Sequence, residues 1–206
     1  MMPVNNINDI VSNFQSNGIK CSYFEDVETA KEYIISSVSK EKNIGIGGSK
    51  TIYDMGLYDE LIQKGKSVYW HWTAQTPEQR KEAFIKSRGA DVYLTSSNAI
   101  TAEGEIVNID GFGNRVSTMI FGPKKTLIVC GINKLCDNLA DALNRIRKTA
   151  SPPNAKRLNL STPCSKTGEC HDCNSPDRIC NVTTIIHKKP AGIEMELILI
   201  NENLGF

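Results

Sequence analysis

The sequence predicts an α/β fold: three layers around a mostly parallel, open sheet. Two observations carry this. Short apolar runs of strand length alternate with stretches whose apolar residues recur at helical spacing, which places helices between parallel strands. One run, Thr126-Leu127-Ile128-Val129-Cys130-Gly131, is apolar throughout, as expected of a strand buried on both faces.

The elements follow in order. Residues 1–20 read as a short helical lead, with Asn8-Asp9 as cap and Ile10, Val11 and Phe14 inward. Cys21 to Phe24 is extended. A helix runs from Val27 to Ser39, capped by Asp26, with Ala30, Tyr33, Ile34 and Val38 as its apolar stripe. A strand at Asn43 to Ile46 enters a glycine turn, and a helix follows from Ile52, weakened by Gly56 and ended by Gly65. Val68 to Trp70 is a strand, then Pro77 starts a helix over Glu78 to Ser87 with Ala83 and Phe84 inward. Asp91 to Thr95 is the next strand, Gly104 to Asp110 is hairpin-like, and Thr118 to Phe121 reads as a further strand. After the buried strand comes a helix from Leu139 to Thr149. Ser151-Pro152-Pro153 breaks the pattern, and Val182 to His187 and Met195 to Ile200 close the chain as strands, the second added to the main sheet.

The chain of 206 residues is 40% hydrophobic, so a core is affordable, and residues 1–206 are expected to form a single domain. Its net charge of +1 argues against nucleic acid, which needs a concentrated basic surface. No apolar stretch suits a membrane span, and the polar start lacks a secretory h-region. The expected location is the cytoplasm, where seven reduced cysteines favour metal or redox chemistry over disulfides.

Four of those cysteines, Cys164, Cys170, Cys173 and Cys180, fall in one polar, turn-rich excursion at about 160–182. Thiolates at this spacing suit a [4Fe–4S] cluster or zinc, and the two are equally compatible with sulfur ligation. His171 beside Cys170 is a weaker ligand candidate. The alternatives are redox thiols or inert cysteines. Cys21, Cys130 and Cys136 have no pairing signature.

Further candidates follow strands. Gly47-Gly48-Ser49-Lys50-Thr51 brings glycines, hydroxyls and a lysine to a strand–helix turn that suits an anion, although neither Walker nor dinucleotide spacing is present. Asn98 lies in a hydroxyl-dense stretch from Thr95 to Thr101. Glu103 could act as base or nucleophile if sheltered. Asp110 to Arg115 joins an acid, two glycines, Asn114 and an arginine whose fork suits a carboxylate or phosphate, unless Asp110 holds Arg115 structurally. Lys134 follows the buried strand, and His71 and Trp72 follow another.

Taken together, Gly45 to Ile52, Ala90 to Gly104, Val107 to Arg115, Phe121-Gly122-Pro123 and Gly131 to Lys134 resemble the lactate-utilisation protein C family, or LUD domain. The resemblance implies a fold like that of ribose-5-phosphate isomerase, glucosamine-6-phosphate deaminase and the CoA transferases. It implies a phosphate loop at Gly47, Gly48, Ser49 and Thr51, and Glu103-Gly104 is slightly similar to the nucleophile loop of the CoA transferases. Members of the family are linked to an iron–sulfur system that oxidises lactate to pyruvate. The implied function is binding of a small anionic metabolite, as an accessory subunit with an iron–sulfur partner protein. Two alternatives stand beside it: an enzyme acting on a sugar phosphate or CoA ester, and a metal- or cluster-bearing redox sensor. Assembly into a homo-oligomer is compatible with all three.

Overall fold

A computed structural model describes residues 6–206, so the first five residues of the expected helical lead lie outside the described residues. In chain order the elements are α1 (Ile7–Ser16), β1 (Lys20–Phe24), α2 (Val27–Ser37), β2 (Asn43–Ile46), α3 (Lys50–Asp54), α4 (Leu57–Gln63), β3 (Ser67–Trp70) and α5 (Pro77–Arg88). Then come β4 (Val92–Thr95), β5 (Ala99–Thr101), β6 (Ile106–Asp110), α6 (Asn114–Ile120), β7 (Lys125–Gly131), β8 (Leu135–Cys136) and α7 (Leu139–Arg145). The chain ends with α8 (Ser151–Arg157), α9 (Pro163–Thr167), β9 (Val182–Ile186) and β10 (Glu194–Ile200).

Side-chain caps mark the starts of α1, α2, α3, α5 and α7, each accepting from a backbone N–H that has no partner inside its helix. Asp26 caps α2 through Thr29 N at 2.8 Å, and Asn138 caps α7 through Asp141 N at 3.0 Å. Asn6, not the Asn8-Asp9 pair, caps α1. Gly56 sits at φ +65°, a backbone state glycine tolerates, and divides α3 from α4.

The expected α/β architecture with a mostly parallel sheet is present. Six strands in the order β1-β10-β7-β4-β2-β3 are parallel throughout. Alternate residues face opposite sides. Leu127, Val129, Ile198 and Ile200 pack with α2, α3 and α4 on one face. Ile128, Cys130, Leu197 and Leu199 pack on the other with α1, Met119 of α6, and Ile100 and Ile106. That second face also carries a smaller sheet, β8-β5-β6-β9, in which β5 and β6 form a hairpin whose second arm is the expected Gly104–Asp110 stretch and whose first arm the sequence did not mark, and β9 adds antiparallel to β6.

Three local expectations are corrected. Thr118 to Phe121 is not a strand but the end of α6. Its residues favour strands locally, yet Asp110 Oδ1 accepts from Phe112 N and Gly113 N at 3.0 and 2.8 Å, and Gly113 at φ +81° turns the chain into a helix that buries Met119. Ser151-Pro152-Pro153 does not end the helical run. A π-helical turn over Ile146–Ala150 leads into α8, whose first turn holds both prolines where no backbone donor is needed. α5 buries Ser87 rather than Ala83 and Phe84, because Ser87 Oγ donates to Tyr69 O at 2.7 Å and packs where a side chain on Gly45 would stand.

Candidate functional site

Parallel strands deliver the loops after β2, β4 and β7 to one end of the sheet, the end where ligands bind in open α/β sheets. Lys134 lies there, in a 3-10 turn after β7, and is only 3% exposed. Its Nζ donates to Thr51 Oγ1 at 2.9 Å and to Ser96 Oγ at 2.7 Å. No carboxylate pairs with it among the described residues. Burial pulls its pKa from 10.5 down to about 8, with Arg145 and Arg115 adding to the fall and Cys130 and Asp54 opposing it. The chain end lies across this amine. Leu204 N donates to Asn133 Oδ1 at 3.1 Å, Thr51 Oγ1 donates to Leu204 O at 3.4 Å, and a Cβ on Gly205 would stand 3.4 Å from Lys134 Nζ.

Arg115 is buried beside this point, and its donors are already occupied. Nη1 donates to Ser96 O at 2.9 Å and Asn108 Oδ1 at 2.5 Å; Nη2 donates to Asn98 Oδ1 at 2.8 Å and Ile109 O at 3.0 Å. Nε faces Asp110 Oδ2 at 3.4 Å. A guanidinium has five N–H groups, so little is left for an outside anion. Arg115 therefore ties α6 to the β4–β5 loop and to β6, and Asp110 and Asn98 serve it.

The glycine turn is shaped by close packing. A Cβ on Gly47 would stand 2.7 Å from Tyr93 Oη and 2.8 Å from Thr95 Oγ1, and one on Gly48 3.2 Å from His71 Cε1. Ser49 caps α3 through Ile52 N at 3.2 Å. Lys50 pairs with Asp54 on the outside of α3, away from Lys134. Thr51 alone of this turn reaches the buried amine.

The LUD-domain family model matches residues 7–200. The chain belongs to the LUD domain family. A DUF162 family protein from Deinococcus radiodurans superimposes with TM-score 0.52 at 10% identity, covering 94% of this chain and 95% of that one, a likeness of fold alone. A ribose 5-phosphate isomerase from Plasmodium falciparum gives TM-score 0.33 at 17% identity over 55% of each chain, too slight to carry an architectural assignment. Comparison with curated proteins found no match.

In this LUD domain the remaining candidates lie apart from Lys134. Glu103 is exposed at the hairpin turn, whose carbonyls accept from Asn13 and Asn17 at the end of α1. The shelter a catalytic carboxylate needs is missing there.

The expected metal centre is overturned. Among the described residues, no group of three or more His, Cys, Asp or Glu side chains is placed to hold a metal ion, so neither a [4Fe–4S] cluster nor zinc is accommodated. Cys164, Cys170, Cys173 and Cys180 are free and partly exposed. The physical reason is that the loop is built around a guanidinium. Arg178 donates to Cys173 O at 2.5 Å, Cys180 O at 3.1 Å and Asp172 Oδ1 at 2.9 Å, so backbone carbonyls rather than thiolates converge. The same segment packs on the Asp110 turn, where Asn181 N donates to Asp110 O at 3.1 Å.

Ser96, which contacts Lys134, and Asn108, which contacts Arg115, carry no individual mark in the sequence. Ser96 sits in the hydroxyl-dense stretch, a usable signal. Asn108 looks like an ordinary strand residue, and nothing local marks it. Among the described residues no helix is long and apolar enough to cross a membrane.

Proposed function

We propose that this LUD domain binds a small anionic metabolite beside Lys134, at the carboxyl ends of β2, β4 and β7. The observation that supports this is a buried ammonium with two hydroxyl partners and no carboxylate among the described residues. A charge taken out of water is costly unless another charge meets it. Lys134 has three donors, of which Thr51 and Ser96 use two. The third, with the charge itself, is available to an anion, and the two hydroxyls stand next to it. Arg115 holds the floor of the site rather than touching the ligand. Entry requires the stretch at Leu204 and Gly205 to lift.

Family membership points to lactate utilisation, and so to a small carboxylate as the first ligand to test. It also supports an accessory role beside an iron–sulfur protein that oxidises lactate, with the cluster in that partner. The test is calorimetry of the wild type and Lys134→Met against lactate, pyruvate, inorganic phosphate, a sugar phosphate and a CoA ester. The expected result is heat with one small anion, absent in Lys134→Met and weakened above pH 8 as the amine loses its proton. Equal binding by the variant, or no heat with any of these anions, would refute the reading.

A further inference from the structure

The geometry points to Ser96 and Lys134 as a nucleophile–base pair that hydrolyses an ester of a small carboxylic acid, with Thr51 positioning the amine. This rests on the Lys134 site of the preceding reading and gives it a reaction, the small anion held there being the product. Lys134 Nζ lies 2.7 Å from Ser96 Oγ and 2.9 Å from Thr51 Oγ1. A hydroxyl within hydrogen-bond reach of a base, the base oriented in turn by a third group, is the arrangement that activates a serine.

The two hydroxyls take different roles. Thr51 Oγ1 accepts from Lys134 and donates to Leu204 O at 3.4 Å, so its proton is already directed away from the amine. Ser96 carries a less hindered, primary hydroxyl. Besides Lys134, its Oγ meets Ser97 O at 3.3 Å and Cys130 Sγ at 4.0 Å among the described residues, both long for a hydroxyl donor. Its proton can therefore pass to Nζ. Ser96 stands directly after β4, at the strand ends where open α/β sheets place their chemistry, and Arg115 Nη1 fixes its carbonyl at 2.9 Å.

A lysine is a base only when neutral. Burial draws the Lys134 pKa down to about 8, so about a tenth of it is neutral at pH 7 and about nine tenths at pH 9. In the first step Ser96 Oγ bonds to the ester carbonyl carbon and its proton moves to Lys134 Nζ. The oxyanion then collapses, the bond from carbon to the alcohol oxygen breaks, and the Lys134 ammonium protonates the departing alkoxide. Water adds to the acyl-serine and gives a proton to the same amine. The bond to Ser96 Oγ breaks, and Oγ takes that proton back. The acid so formed passes its own proton to Lys134, leaving a carboxylate beside an ammonium. Arg145 and Arg115, near enough to lower the proton affinity of Lys134, favour the oxyanion by the same field. Hydrolysis therefore rises with pH through about 8, where anion binding falls.

The experiment is labelling of the full chain with an uncharged fluorophosphonate, from which Ser96 Oγ displaces fluoride, with the site read by peptide mass spectrometry. Turnover of p-nitrophenyl acetate is measured beside it, as the difference from Ser96→Ala. The expected result is phosphonylation of Ser96 at a rate that rises about tenfold from pH 7 to pH 9, as the neutral amine does. Lys134→Arg keeps the charge but cannot give up its proton, and should slow labelling about 10²-fold. Lys134→Met supplies the same readout if the arginine variant does not fold, and a cooperative unfolding transition certifies each fold. Thr51→Val should move the midpoint of the pH profile down, because the ammonium loses an acceptor; an unmoved midpoint overturns the positioning role. The proposal is overturned if Ser96 of the folded wild type stays unlabelled at pH 9, if the Lys134 variants label as fast as the wild type, or if Ser96→Ala turns over the ester equally well. Carboxylate binding without Ser96 labelling refutes this proposal alone; labelling without carboxylate binding refutes the binding reading alone.

Discussion

Arg115 Nη2 lies 2.8 Å from Asn98 Oδ1, and this contact joins the first turn of α6 to the loop that carries the chain from the large sheet to the small one. Asn98 Oδ1 also accepts from Ile109 N at 3.0 Å, so one amide oxygen fixes a helix and a strand together. With Asn108, Asp110 and two carbonyls it forms a cage around a buried cation.

Removing that cation should cost much of the stability. Arg115→Ala strands Asp110 and leaves two amide oxygens and two carbonyls without their donor. A loss of about 3–5 kcal/mol is expected, as for breaking a buried pair from one side. Urea unfolding measures it; a change under about 0.5 kcal/mol would show that the cage is not structural.

Gly47→Ala should destabilise by about 1–3 kcal/mol, because its methyl meets Tyr93 Oη and Thr95 Oγ1 inside ordinary contact distance. Tyr93→Phe removes one of those atoms. The double variant is therefore expected to lose less than the sum of the singles, and a strictly additive cycle would contradict the packing.

Lys134 should leave a mark on stability at alkaline pH. Its pKa is about 8 folded against 10.5 ordinarily, so between these values the unfolded chain holds more protons here. Stability from this group therefore rises with pH across the window, and below about pH 8 the full cost, of order 3 kcal/mol, is present. Thiols and phenols titrate there too, some in the opposite sense, such as Cys21, raised to about 12 chiefly by burial. The readout is consequently the difference between wild type and Lys134→Met. The variant should be more stable at pH 7, and the gap should close towards pH 10.5.

His71 acts on the acid side. With a folded pKa of about 4 against 6.5, the unfolded chain binds more protons between these values, so stability falls as pH falls through that window. His71→Gln should flatten the slope between pH 6.5 and 4. An NMR titration in which the His71 ring protonates near 6.5 would contradict the effect of its burial.

The four cysteines of the Arg178 loop should be dispensable for folding. A Cys164, Cys170, Cys173, Cys180→Ser variant is expected to unfold within about 1 kcal/mol of the wild type, and a chelator should not move its midpoint. Arg178→Ala should disturb this loop more than the four serines do.

Much of the layer structure was legible in the sequence because burial on both faces leaves a local signature. Ile44–Ile46, Val92–Leu94, Leu127–Cys130 and Leu197–Ile200 read as apolar runs and are the centre of the sheet. Asp26 as a helix cap was equally legible, since its hydrogen bond closes within three residues. Strand order was not. That β10 enters between β1 and β7 depends on pairing residues over a hundred positions apart in one case. The end of α6 at Thr118–Ile120 went against local propensity because Arg115 and Met119 act through contacts made elsewhere in the chain. The metal reading failed for a related reason: cysteine spacing is local, but whether thiolates converge depends on what fills the loop, and Arg178 fills it. Lys134 was visible only as a lone lysine after a strand. Its significance comes from burial, which the packing of Thr51, Ser96 and Leu204 to Gly205 around one amine creates and no single stretch of sequence contains.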